Sequence, residues 1–270
     1  MIGDSLFIQA ALLGACVGSF LNVVVWRVPR QESVVWPGSH CPRCGSKLPW
    51  HHNLPILSWL LLRARCGFCA KPISIRYPLV ELLCAGLWVL LALPGVGRMG
   101  SPAQWPNLLA GGLLLAWLLP LALIDADSLR LPEPLCRWGL VSGLLVTAGL
   151  GLPQGRAAEQ LLHHASAAVL GLLAFEAVSR LGQKLLGVPV LGLGDAKLAA
   201  LLGAWLGLKG LAVACACAVF LGALFGLAGR ISGRLGPRQP FPFGPFLAIG
   251  GLLSWLACEQ LWDLLAWGIV

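Results

Sequence analysis

Long, nearly uninterrupted apolar runs separated by short polar breaks dominate this chain. A helix that crosses a bilayer needs roughly 20 mostly apolar residues, and the pattern predicts eight such helices. They fall at 5–26, 79–94, 107–124, 135–151, 161–179, 192–207, 210–229 and 243–268. Gly and Pro interrupt several of them, which membranes tolerate where neighbouring helices re-satisfy the backbone. The first run follows Asp4 rather than a basic stretch and has no small-residue cleavage site after it. It therefore reads as a retained helix and not as a removed leader. One long polar stretch interrupts the pattern. Rich in Pro and bearing Trp36, Trp50 and Trp59, it reads as a small irregular module. The expected fold is an all-α polytopic membrane protein. It divides into a first transmembrane helix (1–27), an extramembrane cysteine module (28–78) and a membrane-embedded domain (79–270).

Composition agrees with this pattern. Of 270 residues, 58% are hydrophobic and 11% charged, against about 25% charged in soluble domains. An ordinary soluble fold is excluded. The net charge of +8 invites a nucleic-acid reading, but in a membrane protein Lys and Arg mark the inner loops. With the N-terminus outside, the eight predicted helices put sixteen of the nineteen basic residues inside. Only Arg98, Arg156 and Lys209 remain outside. The expectation is a multi-pass membrane protein, embedded in lipid, with its module in the cytoplasm and no nucleic-acid partner.

A module this small buries little core and needs a staple. Cys41-Pro-Arg-Cys44 and Cys66-Gly-Phe-Cys69 supply a candidate. Each pair can grip one metal ion through two thiolates, and the two pairs complete a tetrahedral site. Thiolate softness favours zinc, one ion per chain, structural because four sulfurs close the site. Two disulfides are the alternative, disfavoured in a reducing cytosol. A redox role lacks a surrounding thioredoxin-like pattern. His40, His51 and His52 are substitute ligands or plain loop residues. The other six cysteines sit singly in apolar runs and read as packing residues.

Acids at membrane depth are costly, so each of the eleven asks for a reason. Glu81 reads as a partner for a base at the interface, and Glu176 and Glu259 as meeting neighbouring polar groups. Two others differ. Asp125 ends the apolar run LLLAWLLPLALI, and Asp195 opens another within LGLGDAKL. The predicted topology brings both to the cytoplasmic membrane edge. Two carboxylates sharing a site suit peptide hydrolysis. One, ionised, takes a proton from water. The other, protonated, polarises the carbonyl, and like charges so close do not both ionise easily. Gly192 and Gly194 permit an unusual turn before Asp195 and leave backbone free for an extended substrate. The plainer readings stay open: Asp195 as an N-cap, the glycines as packing residues, and Asp125 as a helix-end acid near Arg130.

Together these segments resemble the prepilin peptidase, or type IV leader peptidase, family. GSFLNVVVWRVPR (18–30) resembles its first-helix signature, residues 41–69 its cysteine module, and ISIRYPLVELL (73–83) the continuation. LALIDADSLRLPEPL (121–135) and GLGDAKLAALLGAWLG (192–207) resemble its two aspartate regions. PFGPFLAIGG (242–251) resembles the start of its last helix. The resemblance implies cleavage of basic leader peptides of type IV prepilins or type II secretion pseudopilins, after a glycine, at the cytoplasmic face. It also implies N-methylation of the new terminus with S-adenosylmethionine. By motif, Asp125 and Asp195 take the catalytic positions, Asp127 does not match the family spacing to Pro132, and Lys197 orients the site or binds lipid phosphate. The chain departs from the family in having Glu133 where Asp is common and no acid in Gly187–Val190. No G-x-G-x-x-G element follows a strand, so that logic does not locate the methyl donor. A small transporter or a non-enzymatic assembly scaffold with a zinc module are the competing classes, and Asp195→Asn separates them from a peptidase.

Overall fold

The computed structural model describes residues 2–93, 104–187, 191–236 and 239–267. Arg98 and Arg238, which bear on the predicted orientation, lie outside them, as do the last residues of the predicted helices 79–94 and 243–268. Among these residues eight α-helices follow in order: α1 (Ile2–Arg27), α2 (Leu57–Leu61), α3 (Arg76–Leu91), α4 (Gln104–Ser128), α5 (Glu133–Gly151), α6 (Ala157–Leu186), α7 (Leu193–Ile231) and α8 (Gly244–Trp267). Among the described residues the only β-pairing is two isolated bridges. Among the described residues five helices, α1, α4, α5, α6 and α7, are long and apolar enough to cross a membrane. The all-α polytopic expectation holds.

The chain forms two compact units, Met1–Val96 with Gly100–Gly112 and Gly97–Met99 with Leu113–Val270. In the first, α1 packs antiparallel on α3. A Cβ on Gly14 would lie 2.8 Å from Trp88 and one on Gly18 would lie 2.9 Å from Cys84 and from the Glu81 backbone. Small residues four apart let two backbones meet without a side chain between them. One turn further on, Asn22 Nδ2 donates to the Tyr77 carbonyl at 3.1 Å.

In the second unit α7 is the centre, and it is not one rod. Gly207 has φ 65° and ψ −175°, a conformation an L side chain rarely adopts. There the chain reverses. Ala199 O and Leu211 Cδ2 both approach the position of a Cβ on Gly171, at 3.0 and 2.9 Å. Twelve residues of straight helix would hold them about 18 Å apart. The two predicted helices 192–207 and 210–229 are therefore two arms of α7, folded back on each other at the predicted break. Leu198–Leu206 of the first arm is buried throughout. Trp205 anchors it to α5 by donating Nε1–H to the Gly139 carbonyl at 2.8 Å.

Several predicted ends move. α4 runs one turn past residue 124, so Asp125 lies inside its last turn rather than at its end. Leu129 then closes the helix with φ 54°, donating its N–H to the Asp125 carbonyl at 2.8 Å. α6 begins four residues earlier and ends seven later than predicted, because Glu176, Arg180 and Lys184 continue a helix that hydropathy alone does not follow. The module also contains the short helix α2, absent from the sequence pattern.

Candidate active site and metal centre

Four segments of the second unit converge around two carboxylates. Asp125, in the last turn of α4, is 5% exposed, and Asp195, in the first turn of α7, is 9% exposed. Asp195 is not the N-cap residue of the plainer sequence reading, although its side chain takes part in the cap. Gly192 is the N-cap, and Asp195 sits three residues on. Its Oδ2 accepts the Gly192 N–H at 3.1 Å, and its own N–H returns a bond to the Gly192 carbonyl at 3.1 Å. This reciprocal pair satisfies helix-end donors that would otherwise be orphaned. Ser179 Oγ of α6 holds the approach to the turn by donating to the Leu191 carbonyl at 2.7 Å.

Asp125 takes its partner from the far end of the sequence. Its Oδ2 accepts the buried Gly244 N–H at 2.8 Å, at the start of α8. A Cβ on Gly244 would stand 2.7 Å from that oxygen, so the close approach requires glycine. Helix N-termini favour negative charge, and both carboxylates lie at one: Asp195 in α7 and Asp125 at α8. Sequence reasoning placed Gly244 only in the last-helix motif. The Pro242-Phe243-Gly244-Pro245-Phe246 run was its available signal, but nothing in it named Asp125 as the group approached.

The two aspartate segments also touch each other. A Cβ on Gly194 would come 2.9 Å from Leu131 Cβ, so this glycine permits the linker after α4 to lie on the start of α7. Lys197 Nζ pairs with Glu133 Oε2 at 2.9 Å, joining the start of α5 to α7. Gly192 is exposed and Gly194 half-buried, so backbone is accessible beside Asp195. Asp127 points to the exposed side of α4. The second arm of α7 reaches past the site. Gly222 of the second α7 arm is level with Phe243, and α7 continues nine residues beyond, about 13 Å.

Two of the other membrane-depth acids find ordinary partners. Glu176 pairs with Arg180 at 2.5 Å and Glu259 with Lys209. Glu81 differs from expectation. Instead of a base, its Oε2 accepts the Ile56 N–H at 2.7 Å, which ties the module to α3 in the first unit.

In that module Cys41, Cys44, Cys66 and Cys69 come together. Their sulfurs lie within 4.8 Å of one another, and all ten cysteines are free thiols. Four sulfurs 2.3 Å from a tetrahedral zinc would be about 3.8 Å apart, so the cluster can hold one metal ion. None of His40, His51 and His52 joins it. Both pairs use one turn twice over. Gly45 and Ala70 donate N–H to the carbonyls of Cys41 and Cys66, each at 2.9 Å, and Cys41 and Cys66 donate to Ser46 and Lys71 at 3.0 and 2.9 Å. Both turns need positive φ, 72° at Gly45 and 55° at Ala70. This local repeat was invisible in sequence because the side chains differ. The Ser46 hydroxyl, then its backbone N–H, hold the Cys44 thiol down to about 6. At Cys69 the Lys71 N–H favours thiolate, but burial and the three other sulfurs outweigh it and push the group up to about 11. Four thiolates this close repel, and a divalent cation among them removes that conflict.

The bacterial peptidase A24 N-terminal domain model matches residues 12–94. The type IV leader peptidase family model matches residues 112–227. A prepilin leader peptidase/N-methyltransferase of Myxococcus xanthus (strain DK1622) is 43% identical over 229 residues, covering 84% of this chain and 64% of that protein. Proteins of the same description from Neisseria gonorrhoeae and Pseudomonas putida are 36% and 37% identical, covering 96% and 94% of this chain and 93% and 91% of their own lengths. No solved structure matches the chain.

Proposed function

The chain belongs to the type IV leader peptidase family, and from that premise we propose that it is a prepilin leader peptidase and N-methyltransferase of the bacterial inner membrane. It cleaves leader peptides of type IV prepilins or type II secretion pseudopilins after a glycine, on the cytoplasmic side, by an aspartate pair. The observation that carries this reading is that Asp125 and Asp195, seventy residues apart, are both buried on segments that the fold brings into contact at Leu131 and Gly194.

The chemistry follows from one proton shared between two carboxylates. The ionised carboxylate takes a proton from water as the water oxygen attacks the scissile carbonyl carbon. The protonated carboxylate donates its proton to the carbonyl oxygen, and a tetrahedral diol forms. Collapse of the diol breaks the C–N bond. A proton passes to the leaving amine, and the pair returns to its starting state with one proton. The Gly192 and Gly244 N–H groups fix one oxygen of each aspartate and leave the other for water and substrate. Gly192 and Gly194 offer backbone to an extended leader, and Lys197 shapes the site through Glu133.

The four-cysteine cluster holds one zinc, which is structural because its sulfurs complete the coordination shell. S-adenosylmethionine supplies the methyl group that is transferred to the new amino terminus. The basic residues of the inner loops set the orientation.

Mass spectrometry of a prepilin co-expressed with this protein tests the proposal. The expected product lacks its leader and is heavier by one methyl group. Full-length substrate beside abundant membrane-inserted protein refutes it, as does full cleavage by Asp195→Asn protein.

A further inference from the structure

The end of α1 builds an apolar tip that neither the proposed peptidase chemistry nor the metal cluster uses. Arg27, the last residue of α1, is buried in a clasp. Its Nη1 donates to the carbonyls of Ser33 and Pro37 at 2.9 and 2.7 Å, and its Nη2 to Gly38 at 3.2 Å. Charged donors to carbonyls are among the stronger hydrogen bonds, and three of them close the loop 33–38 onto the helix end. Inside the loop, Ser33 Oγ accepts N–H bonds from Val35 at 3.3 Å and Trp36 at 3.1 Å. With its backbone fixed twice over, the loop presents Val35, 82% exposed, and Trp36, 75% exposed, at its apex.

A soluble surface has no reason to hold a Trp out on a braced loop. A bilayer interface does, because an indole is favoured at headgroup level. The clasp ties both flanks of the apex to the end of a helix long and apolar enough to cross a membrane, so the acyl boundary is the apolar phase in reach. Beside it, Trp26 is exposed and carries the Arg30 guanidinium 3.7 Å above its ring. That pair is an interfacial anchor with its charge at the headgroups. Charge selects the lipid. From residue 28 to 77 there are seven Lys and Arg against one acid, Glu32. A tetrathiolate zinc site removes two charges and still leaves a net +4. Six of those basic residues are exposed.

We propose that the Val35–Trp36 apex is a lipid-binding wedge that inserts at the headgroup boundary of an anionic leaflet and seats the cysteine module on the membrane surface. Insertion of apolar side chains and attraction between basic residues and anionic headgroups act together at such a surface. The Arg27 clasp converts the position of α1 in the bilayer into the height of the module above it.

The test uses the full chain labelled with 5-fluorotryptophan in nanodiscs of mixed phosphatidylglycerol and phosphatidylcholine. Trp36→Phe identifies the Trp36 fluorine signal by its loss, and because Trp36 is exposed the variant is expected to keep its metal and its fold. A lipid spin-labelled near the headgroup end of its acyl chain should broaden the Trp36 signal away, while a water-soluble relaxation agent leaves it sharp. In discs of phosphatidylcholine alone the lipid effect should fall. A signal erased by the aqueous agent and untouched by the lipid label overturns the wedge. Equal broadening in both lipid mixtures overturns the selection for anionic lipid. Arg27→Gln supplies an independent check: with the clasp lost, the Trp36 signal should become open to the aqueous agent.

Discussion

Asp125 and Asp127 are two residues apart on α4 and have opposite surroundings, one buried against Gly244 and the other exposed. Asp125→Asn and Asp195→Asn are each expected to abolish leader cleavage while the protein still accumulates in membranes. Asp127→Asn should retain most activity. Cleavage of a co-expressed prepilin beside an immunoblot of the membrane fraction reads both. An essential Asp127 with a dispensable Asp125 would reverse the assignment. Gly244 makes a sharper demand. In Gly244→Ala the new Cβ meets Asp125 Oδ2, and either the carboxylate or α8 must shift. A misplacement of about 1 Å can cost on the order of 10²-fold in rate. Turnover should fall far more than the Michaelis constant rises. Loss of the folded protein without a specific turnover defect would make Gly244 a packing residue only. Gly194→Val pushes on Leu131 in the same way and should cost activity more than expression.

Among elements, the metal module is where folding and ligand binding coincide. Elemental analysis of purified protein should find one zinc per chain, and Cys41→Ser should lose both the ion and the protease resistance of residues 28–77, since folding of so small a unit is coupled to its metal. Metal-free protein with the four thiols paired as disulfides would refute this. Gly45→Val places a β-branched residue at φ 72°, a strain of about 1–2 kcal/mol, and should weaken zinc retention with every ligand in place. The Lys197–Glu133 bridge invites the opposite expectation. Both side chains are substantially exposed, and such pairs contribute about 0–1 kcal/mol. Glu133→Gln should therefore leave thermal stability nearly unchanged. A large loss of activity beside that unchanged stability would mark the bridge as positioning the two aspartate segments.

For the whole molecule, the working state of the pair holds one proton between two carboxylates, and such a pair titrates as a unit. Losing the proton on the alkaline side leaves no donor for the carbonyl, and adding a second on the acid side leaves no base for water. Cleavage under saturating substrate should fall on both sides of an optimum, and a rate flat well into the alkaline range with intact protein would exclude a shared proton. Much of this molecule was legible without coordinates. Membrane insertion and the number of helical arms follow from apolar runs, because the bilayer imposes length and hydrophobicity locally along the chain. The metal cluster was legible because two thiolates three residues apart can already grip one ion. The break at Gly207 was visible as a glycine and a lysine between two apolar runs. Other features depend on what distant segments do to one another. The hydropathy of Leu193–Ile231 marks two arms and the break between them, but not that Gly171 of α6 lies against both. Nothing near Asp125 in sequence names Gly244 as its donor, nothing near Glu81 names Ile56, and the clasp of Arg27 on three carbonyls follows no side-chain pattern. Hydropathy and ligand spacing are properties of a segment, whereas a backbone N–H becomes a partner only where the fold brings it, and that the tertiary structure alone decided.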